Sequence, residues 1–138
     1  CNGFQILCES RLLPGVLLRN ANQKFIGKNV FIKDNAENIY KIPVAHGEGR
    51  YYADEKTLDD LEANGQVTFS YCDETGAMTS ESNPNGSLRN IAGICNATRN
   101  VFAMMPHPER ACSSSLENID GRQILKSLLM TEQLVNQG

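Results

Sequence analysis

Apolar residues occur along this chain in short runs whose spacing alternates between that of helices and that of strands. Helical spacing is found over residues 2–13, 54–64 and 121–135. Strand patterns are found over residues 28–33, 40–45, 66–71, 91–95 and 101–104. Helices interleaved with short apolar strands predict an α/β fold in which the helices pack in layers on a sheet.

Prolines, glycines and polar residues indicate where the elements end. Pro14-Gly15 predicts the end of the first helix. Pro43 cannot donate a ladder hydrogen bond, so the strand that contains it is expected at a sheet edge or a strand end. Residues 73–90 are rich in Asp, Asn, Ser and Gly, which predicts a long surface loop.

The composition bounds the class of protein. The chain has 138 residues, a length that suits one globular domain. Its net charge of −3 argues against nucleic acid or an anionic membrane as the main partner. No run of about 18 apolar residues is present, so no membrane-spanning helix is expected. The five cysteines include no Cys-x-x-Cys pair. This pattern favours free thiols in a reducing compartment, and a cytoplasmic location is expected.

One of the two histidines lies in the segment Met105-Pro106-His107-Pro108-Glu109. The flanking prolines restrict the backbone and disfavour a helix, so the imidazole is expected in extended chain. Glu109 would then project to the same side as His107 and hold the ring in one tautomer. An imidazole oriented by a carboxylate suits a general base, although an isolated His-x-Glu is more often structural.

The first residue, Cys1, is a candidate nucleophile because helical spacing begins immediately after it. The first amides of that helix and a nearby imidazole would favour the thiolate, which is the form that attacks a carbonyl carbon. Gly3 permits a tight turn that would aim the backbone N–H of Asn2 at a developing oxyanion. Taken alone, the position of Cys1 fits an accident of where the sequence starts equally well.

Other segments carry weaker signals. The glycines of His46-Gly47-Glu48-Gly49 would let a ligand approach the backbone, although a plain turn fits equally well. Residues 83–87 by themselves indicate only a turn. The four remaining cysteines have the surroundings expected of buried, inert thiols; they are Cys8, Cys72, Cys95 and Cys112. No metal site is expected, because the two histidines lie about 60 residues apart and have no close ligand partner.

Several segments together carry a resemblance to a known family. They are Cys1–Leu7, Ala45–Gly49, Asn83–Ser87, Ile91–Ile94 and Met105–Arg110, in this order. In this order and spacing they closely resemble segments of the small glutaminase subunits of phosphoribosylformylglycinamidine synthases. Those subunits are triad-type (class I) glutamine amidotransferases. The resemblance covers residues 1 to about 130 and implies a three-layer, flavodoxin-like α/β fold and a place in purine biosynthesis.

The resemblance implies a role for each matching residue. Cys1 would attack the side-chain amide of L-glutamine, His107 would carry the proton to departing ammonia, and Glu109 would orient His107. Asn2 would supply an oxyanion N–H. The residues matching family positions that contact glutamine are Gln5, His46, Gly47 and Glu48. No cofactor is implied in this chain. Its ammonia would pass to a large synthetase subunit that uses ATP and Mg²⁺, and a small bridging subunit joins the two in many bacteria.

The sequence departs from the family pattern in where it begins. The family places the nucleophile in mid-domain, so residues 1–138 are expected to form a single incomplete domain, without the first strands and a second oxyanion donor. Losing one such donor typically costs about 10²–10³ in rate, and the chain alone is therefore expected to be inactive or unstable. Two alternatives stay open: an N-terminal-nucleophile amidotransferase with the Cys1 amine as base, and a fragment without the chemistry.

Overall fold

The computed structural model describes residues 2–111 and 120–126. Cys1, Cys112 and most of the helix predicted over 121–135 lie outside these residues. The helices are α1 (Asn2–Glu9) and α2 (Glu55–Ala63), and residues 120–126 are also helical. The strands are β1 (Val16–Leu18), β2 (Ile26–Lys33), β3 (Ile39–His46), β4 (Arg50–Tyr52), β5 (Val67–Cys72), β6 (Ile91–Cys95) and β7 (Phe102–Met104). Single 3-10 turns cover Leu88–Asn90 and Pro108–Ala111.

The main sheet has the strand order β3-β2-β5-β6-β7, and its neighbouring strands pair antiparallel. The predicted hairpin of β6 and β7 is confirmed, and so is the edge position of the strand that contains Pro43. A two-stranded ribbon of β1 and β4 stands apart from this sheet. Three residues are too few to show strand alternation, so no sequence pattern indicates β4, and none decides between a loop and a short strand for β1.

Helix α2 shows how local sequence sets an element. Asp54 is its N-cap, and the carboxylate accepts a hydrogen bond from Thr57 N at 2.8 Å, which satisfies one of the free amides of the first turn. Its buried side chains are Leu58 and Leu61, three residues apart on one face. Gly65 follows with φ of +64°, a left-handed conformation that suits glycine after a helix end.

Strand β6 is buried on both faces and separates two apolar cores. One core joins Phe4 of α1 and Leu58 of α2 to Ile91 and Ile94 of the strand. The other packs Ile124, from the helical residues 120–126, against the inward faces of β2, β3 and β5. Helices therefore cover both sides of the sheet, which is the three-layer α/β arrangement expected from the sequence.

A buried polar network joins three loops at the end of β3. Its members Asn20, His46, Asn85 and Ser87 are each at most 3% exposed. The Asn20 side chain donates to the His46 carbonyl at 2.9 Å and accepts from Gly49 N at 3.0 Å. These bonds bridge the turn after β3 from one strand end to the other.

Asn85 supplies the other half of the network. Its Oδ1 accepts from Ser87 N at 3.1 Å and from Ser87 Oγ at 2.8 Å. Its Nδ2 lies 3.0 Å from His46 Nε2 and 3.2 Å from the Tyr71 hydroxyl. Because the amide of Asn85 uses both of its ends in a buried setting, the loop 83–87 and the His46 ring hold each other in place.

The close packing of His46 on Gly49 gives a test of this arrangement. A Cβ on Gly49 would overlap the His46 ring, whereas a Cβ on Gly47 would meet nothing within 4 Å. Gly49→Ala is expected to lower the free energy of unfolding by about 1–3 kcal/mol, and Gly47→Ala by less than about 0.5 kcal/mol. Urea denaturation of the whole protein measures both. Equal midpoints for the two variants would contradict the packing.

Burial also makes the network sensitive to pH. It lowers the pKa of His46 from 6.5 to about 4, so the unfolded chain takes up this proton before the folded protein does. The stabilisation by neutral His46 is complete above pH ~6.5 and falls as the pH drops toward ~4, by about 3 kcal/mol in all. We expect the His46→Gln variant to lose less stability than the parent between pH ~6.5 and ~5. Identical pH profiles of unfolding for parent and variant would refute this.

Candidate active site

The segment that follows β7 carries His107 back across the sheet. Met105 is fully buried and its N–H donates to the Ala92 carbonyl of β6 at 2.9 Å. The His107 N–H donates to the Pro43 carbonyl of β3, also at 2.9 Å. Pro106 and Pro108 have no N–H to satisfy. The N–H groups of Met105 and His107 therefore donate to two different strands, β6 and β3. The bond to β3 holds the backbone of His107 against that strand.

His107 and Glu109 form a short pair. Nδ1 of His107 lies 2.7 Å from Glu109 Oε1, and the two side chains are 16% and 61% exposed. A carboxylate only accepts, so Nδ1 of His107 donates, and in the neutral ring Nε2 holds the lone pair. Nε2 is buried and has no hydrogen-bond partner among the described residues. The pair thus presents an oriented, unoccupied basic nitrogen.

The contact between His107 and Glu109 arises differently from the sequence prediction. Extended chain was expected to place both side chains on one side, but Pro108–Ala111 forms a 3-10 turn and Glu109 lies within its first turn. Pro108 suits the first position of such a turn, since φ is already fixed and the missing N–H would be unpaired there. The turn, rather than strand alternation, brings the carboxylate to the ring.

His46 ends β3, the strand that anchors His107. Its ring is buried, and its pKa falls to about 4 chiefly because burial penalises the charged form. His46 is neutral at physiological pH, and its Nδ1 is buried without a partner among the described residues.

The other predicted site residues lie on α1 and in the turn after β3. Asn2 is exposed at the start of α1, and Gln5 is half-buried with Nε2 donating to Glu9 Oε1 at 3.3 Å. Helix α1 packs against β1 and β7, so it lies beside the strand that leads into His107. Gly47 is half-buried and Glu48 is exposed. Cys1 lies outside the described residues, and the structure gives it no position.

Sequence reasoning missed three residues that shape this region: Asn20, Asn85 and Ser87. The Pro-Asn-Gly turn signal correctly predicted a loop at residues 83–87, but such loops are usually exposed. Here Asn85 is 1% exposed and contacts His46 across 39 positions of sequence. Only the tertiary fold brings the two together, and no local pattern in the sequence signals the contact.

The described cysteines are poor nucleophiles. Cys8, Cys72 and Cys95 are free and buried, as the sequence predicted. Burial raises the pKa of Cys8 to about 11, and it also raises the pKa values of Cys72 and Cys95. Since the thiolate is the reactive form, none of these three thiols suits the chemistry of an amidase.

Residues 2–111 and 120–126 are the part of the chain that the structure describes. Within them, no three side chains of His, Cys, Asp or Glu group closely enough to hold a metal ion. No helix in that part of the chain has the length and apolar character needed to cross a bilayer.

Comparison with known proteins gives consistent matches. The family model of the CobB/CobQ-like glutamine amidotransferase domain matches residues 1–134. The phosphoribosylformylglycinamidine synthase subunit PurQ of Thermosynechococcus vestitus is 51% identical over 94% of this chain and 61% of that protein. The protein of the same name from Chlorobaculum parvum is 50% identical over 93% of this chain and 55% of that protein. The chain thus spans roughly six tenths of the length of these relatives.

A solved structure agrees with these relatives. A chain of the structure titled "Structure of PurLQS from Thermotoga maritima" is 37% identical, with a TM-score of 0.76 over 94% of this chain and 58% of that one. This likeness confirms the α/β, flavodoxin-like glutamine amidotransferase fold expected from the sequence. Given the family match over residues 1–134, the chain belongs to the CobB/CobQ-like glutamine amidotransferase domain family.

Proposed function

We propose that the protein hydrolyses the side-chain amide of L-glutamine to glutamate and ammonia through a cysteine thioester. The observation that carries this proposal is the His107–Glu109 pair, with Nδ1 bound to the carboxylate and Nε2 buried and unpartnered among the described residues. A base needs an oriented ring with a free lone pair. Membership of the glutamine amidotransferase family indicates glutamine as the amide.

In the proposed reaction Cys1 is the nucleophile and His107 moves the proton. Nε2 takes the thiol proton, and the sulfur attacks the amide carbon to give a tetrahedral oxyanion. His107 then returns the proton to the leaving nitrogen, so ammonia departs and a glutamyl thioester remains. Water, deprotonated at the same Nε2, hydrolyses the thioester and restores the thiol. Glu109 keeps the ring in the Nδ1–H tautomer throughout.

The remaining site residues bind and stabilise. The Asn2 N–H, at the start of α1, would donate to the oxyanion, where one such donor is typically worth about 10²–10³ in rate. Gln5, His46, Gly47 and Glu48 would contact the bound glutamine. The support for this group is that α1 packs on β7, the strand that leads into His107, while His46 ends the strand that anchors His107.

We propose that the ammonia is used by a partner and that this chain holds no cofactor. The relatives are named as subunits of phosphoribosylformylglycinamidine synthase, and the solved structure is titled as a PurLQS complex. By analogy, a large synthetase subunit would consume the ammonia with ATP and Mg²⁺ in purine biosynthesis, and a small subunit would bridge the two. Residues 1–138 would belong to a single glutamine amidotransferase domain, and the protein would work in the cytoplasm.

Substitutions at the His107–Glu109 pair test the proposed mechanism. His107→Ala removes the base and is expected to lower kcat for glutamine hydrolysis by about 10²–10⁴. Glu109→Gln keeps a side chain of the same shape but lets an amide donor face Nδ1, and is expected to lower kcat by a similar order. Ammonia release by the whole protein measures both effects.

Glu74→Gln provides the matched control, since Glu74 is an exposed acid in the loop after β5, and its kcat is expected to equal that of the parent. Retention of kcat in His107→Ala would contradict the triad mechanism. It would instead favour the N-terminal-nucleophile alternative, in which the amine of Cys1 is the base.

A further inference from the structure

The orientation of the Asn85 amide is fixed by its neighbour. The Ser87 backbone N–H, which can only donate, points at Asn85 Oδ1 from 3.1 Å. Turning the amide over would set its NH₂ group against that N–H, so Oδ1 must face Ser87. Nδ2 therefore faces His46 Nε2 at 3.0 Å and donates to it.

This hydrogen bond fixes the tautomer of His46. Because Nε2 accepts from Asn85, the single proton of the neutral ring lies on Nδ1. Nδ1 is fully buried, and no described residue accepts from it. Burial lowers the pKa of His46 to about 4, which keeps the ring neutral. The result is a preformed N–H donor that is shielded from water and has no acceptor among residues 2–111 and 120–126.

The surroundings of His46 place this donor beside the proposed reaction. Gly49 packs against the Cδ2–Nε2 edge of the ring, opposite Nδ1. Apart from its own chain neighbours, nothing lies within 4 Å of where a Cβ on Gly47 would stand, so the turn after His46 has free space on that side. The same strand, β3, binds the His107 backbone through Pro43.

We propose that Asn85 is a positioning residue that fixes His46 as an Nδ1–H donor, and that an oxygen of bound glutamine accepts from this donor. The inference rests on the proposed glutaminase function and assigns His46 a definite role within it. Buried donors are nearly always paired, and a substrate oxygen would complete this one on binding. The α-carboxylate and the amide carbonyl both offer the required acceptor.

Two substitutions of His46 separate binding from structure. The amide nitrogen of Asn can occupy the position of Nδ1, so His46→Asn keeps a donor there but loses the bond with Asn85. Gln reaches the position of Nε2, so His46→Gln keeps the acceptor for Asn85 but loses the donor. We expect His46→Gln to be the more stable variant and His46→Asn to have the higher kcat/KM for glutamine, by roughly tenfold, the equivalent of ~1.4 kcal/mol.

Steady-state glutamine hydrolysis by the whole protein and its urea midpoint supply both rankings. A loss confined to KM assigns the acceptor to the α-carboxylate, and a loss in kcat assigns it to the carbonyl oxygen that becomes the oxyanion. If the two variants rank in the same order in kcat/KM as in urea midpoint, so that His46→Gln is at least as active as His46→Asn, the role of His46 is purely structural. That result would overturn the proposal.

The nucleophile is the competing acceptor, and alkylation distinguishes it. The rate at which iodoacetamide modifies Cys1 is expected to have the same pH profile in the parent and in His46→Gln. A profile moved to higher pH, with KM and kcat for glutamine unchanged, would show that the donor serves the thiolate and would overturn the assignment to substrate.

Asn85→Asp carries the test should His46→Asn fail to fold. A carboxylate facing Nε2 would draw the ring proton to that nitrogen and leave Nδ1 as an acceptor. Nitrogen NMR of the His46 ring is expected to show this exchange of tautomer, together with roughly a tenfold fall in kcat/KM, or ~1.4 kcal/mol. Asn96→Asp makes the same charge change in the β6–β7 turn, and its kinetics are expected to match the parent.

The outcome also separates this inference from the proposed function. A parent protein that hydrolyses glutamine and loses activity in His107→Ala keeps the proposed function, whatever His46 does. An exchange of tautomer in Asn85→Asp without any kinetic effect would then refute the role of His46 alone.

Discussion

The hydrogen bond between His107 Nδ1 and Glu109 is the interaction on which the chemical account of this fold depends. It places the proton of the neutral ring on Nδ1, so the lone pair lies on Nε2, which is buried. The pair holds its geometry because the backbone of the segment is tied at two places, to Ala92 and to Pro43. Both ties use strands of the main sheet, so the sheet itself positions the base.

The two histidines of the chain are alike in tautomer and opposite in what they present. In each neutral ring the proton lies on Nδ1. At His107 that proton is bound to a carboxylate and the acceptor nitrogen has no partner in the described part of the chain, whereas at His46 the acceptor is bound by Asn85 and the donor nitrogen has no partner there. One unpaired group can take a proton and the other can hold an oxygen, which are complementary tasks in amide hydrolysis.

Much of this fold could be predicted from the sequence, because its longer elements carry strong local signals. Helix α2 has an N-cap, an apolar face and a following glycine, and the edge position of β3 follows from Pro43. The ribbon of β1 and β4 could not be predicted, since strands this short carry no alternation pattern and form only in the context of the tertiary fold. Each strand has only three residues.

The candidate site likewise has a part that could be predicted from the sequence and a part that could not. His107 and Glu109 are close in sequence, and the prolines around them restrict the backbone, so their pairing was predictable although its 3-10 geometry was not. Asn20 and Asn85 come from two separate loops and His46 from the end of β3, and their network depends on burial that no local pattern reveals. The role of Cys1 was inferred from its helix and from the family resemblance.

The distance between the Cys1 sulfur and His107 Nε2 tests the central claim most directly. In a crystal structure of the whole protein, the account predicts that these two atoms lie within about 4 Å of each other, with Glu109 still bound to Nδ1. A well-ordered structure in which the sulfur lies beyond about 6 Å, with another group on Nε2, would contradict the assignment of Cys1, His107 and Glu109 to one catalytic unit.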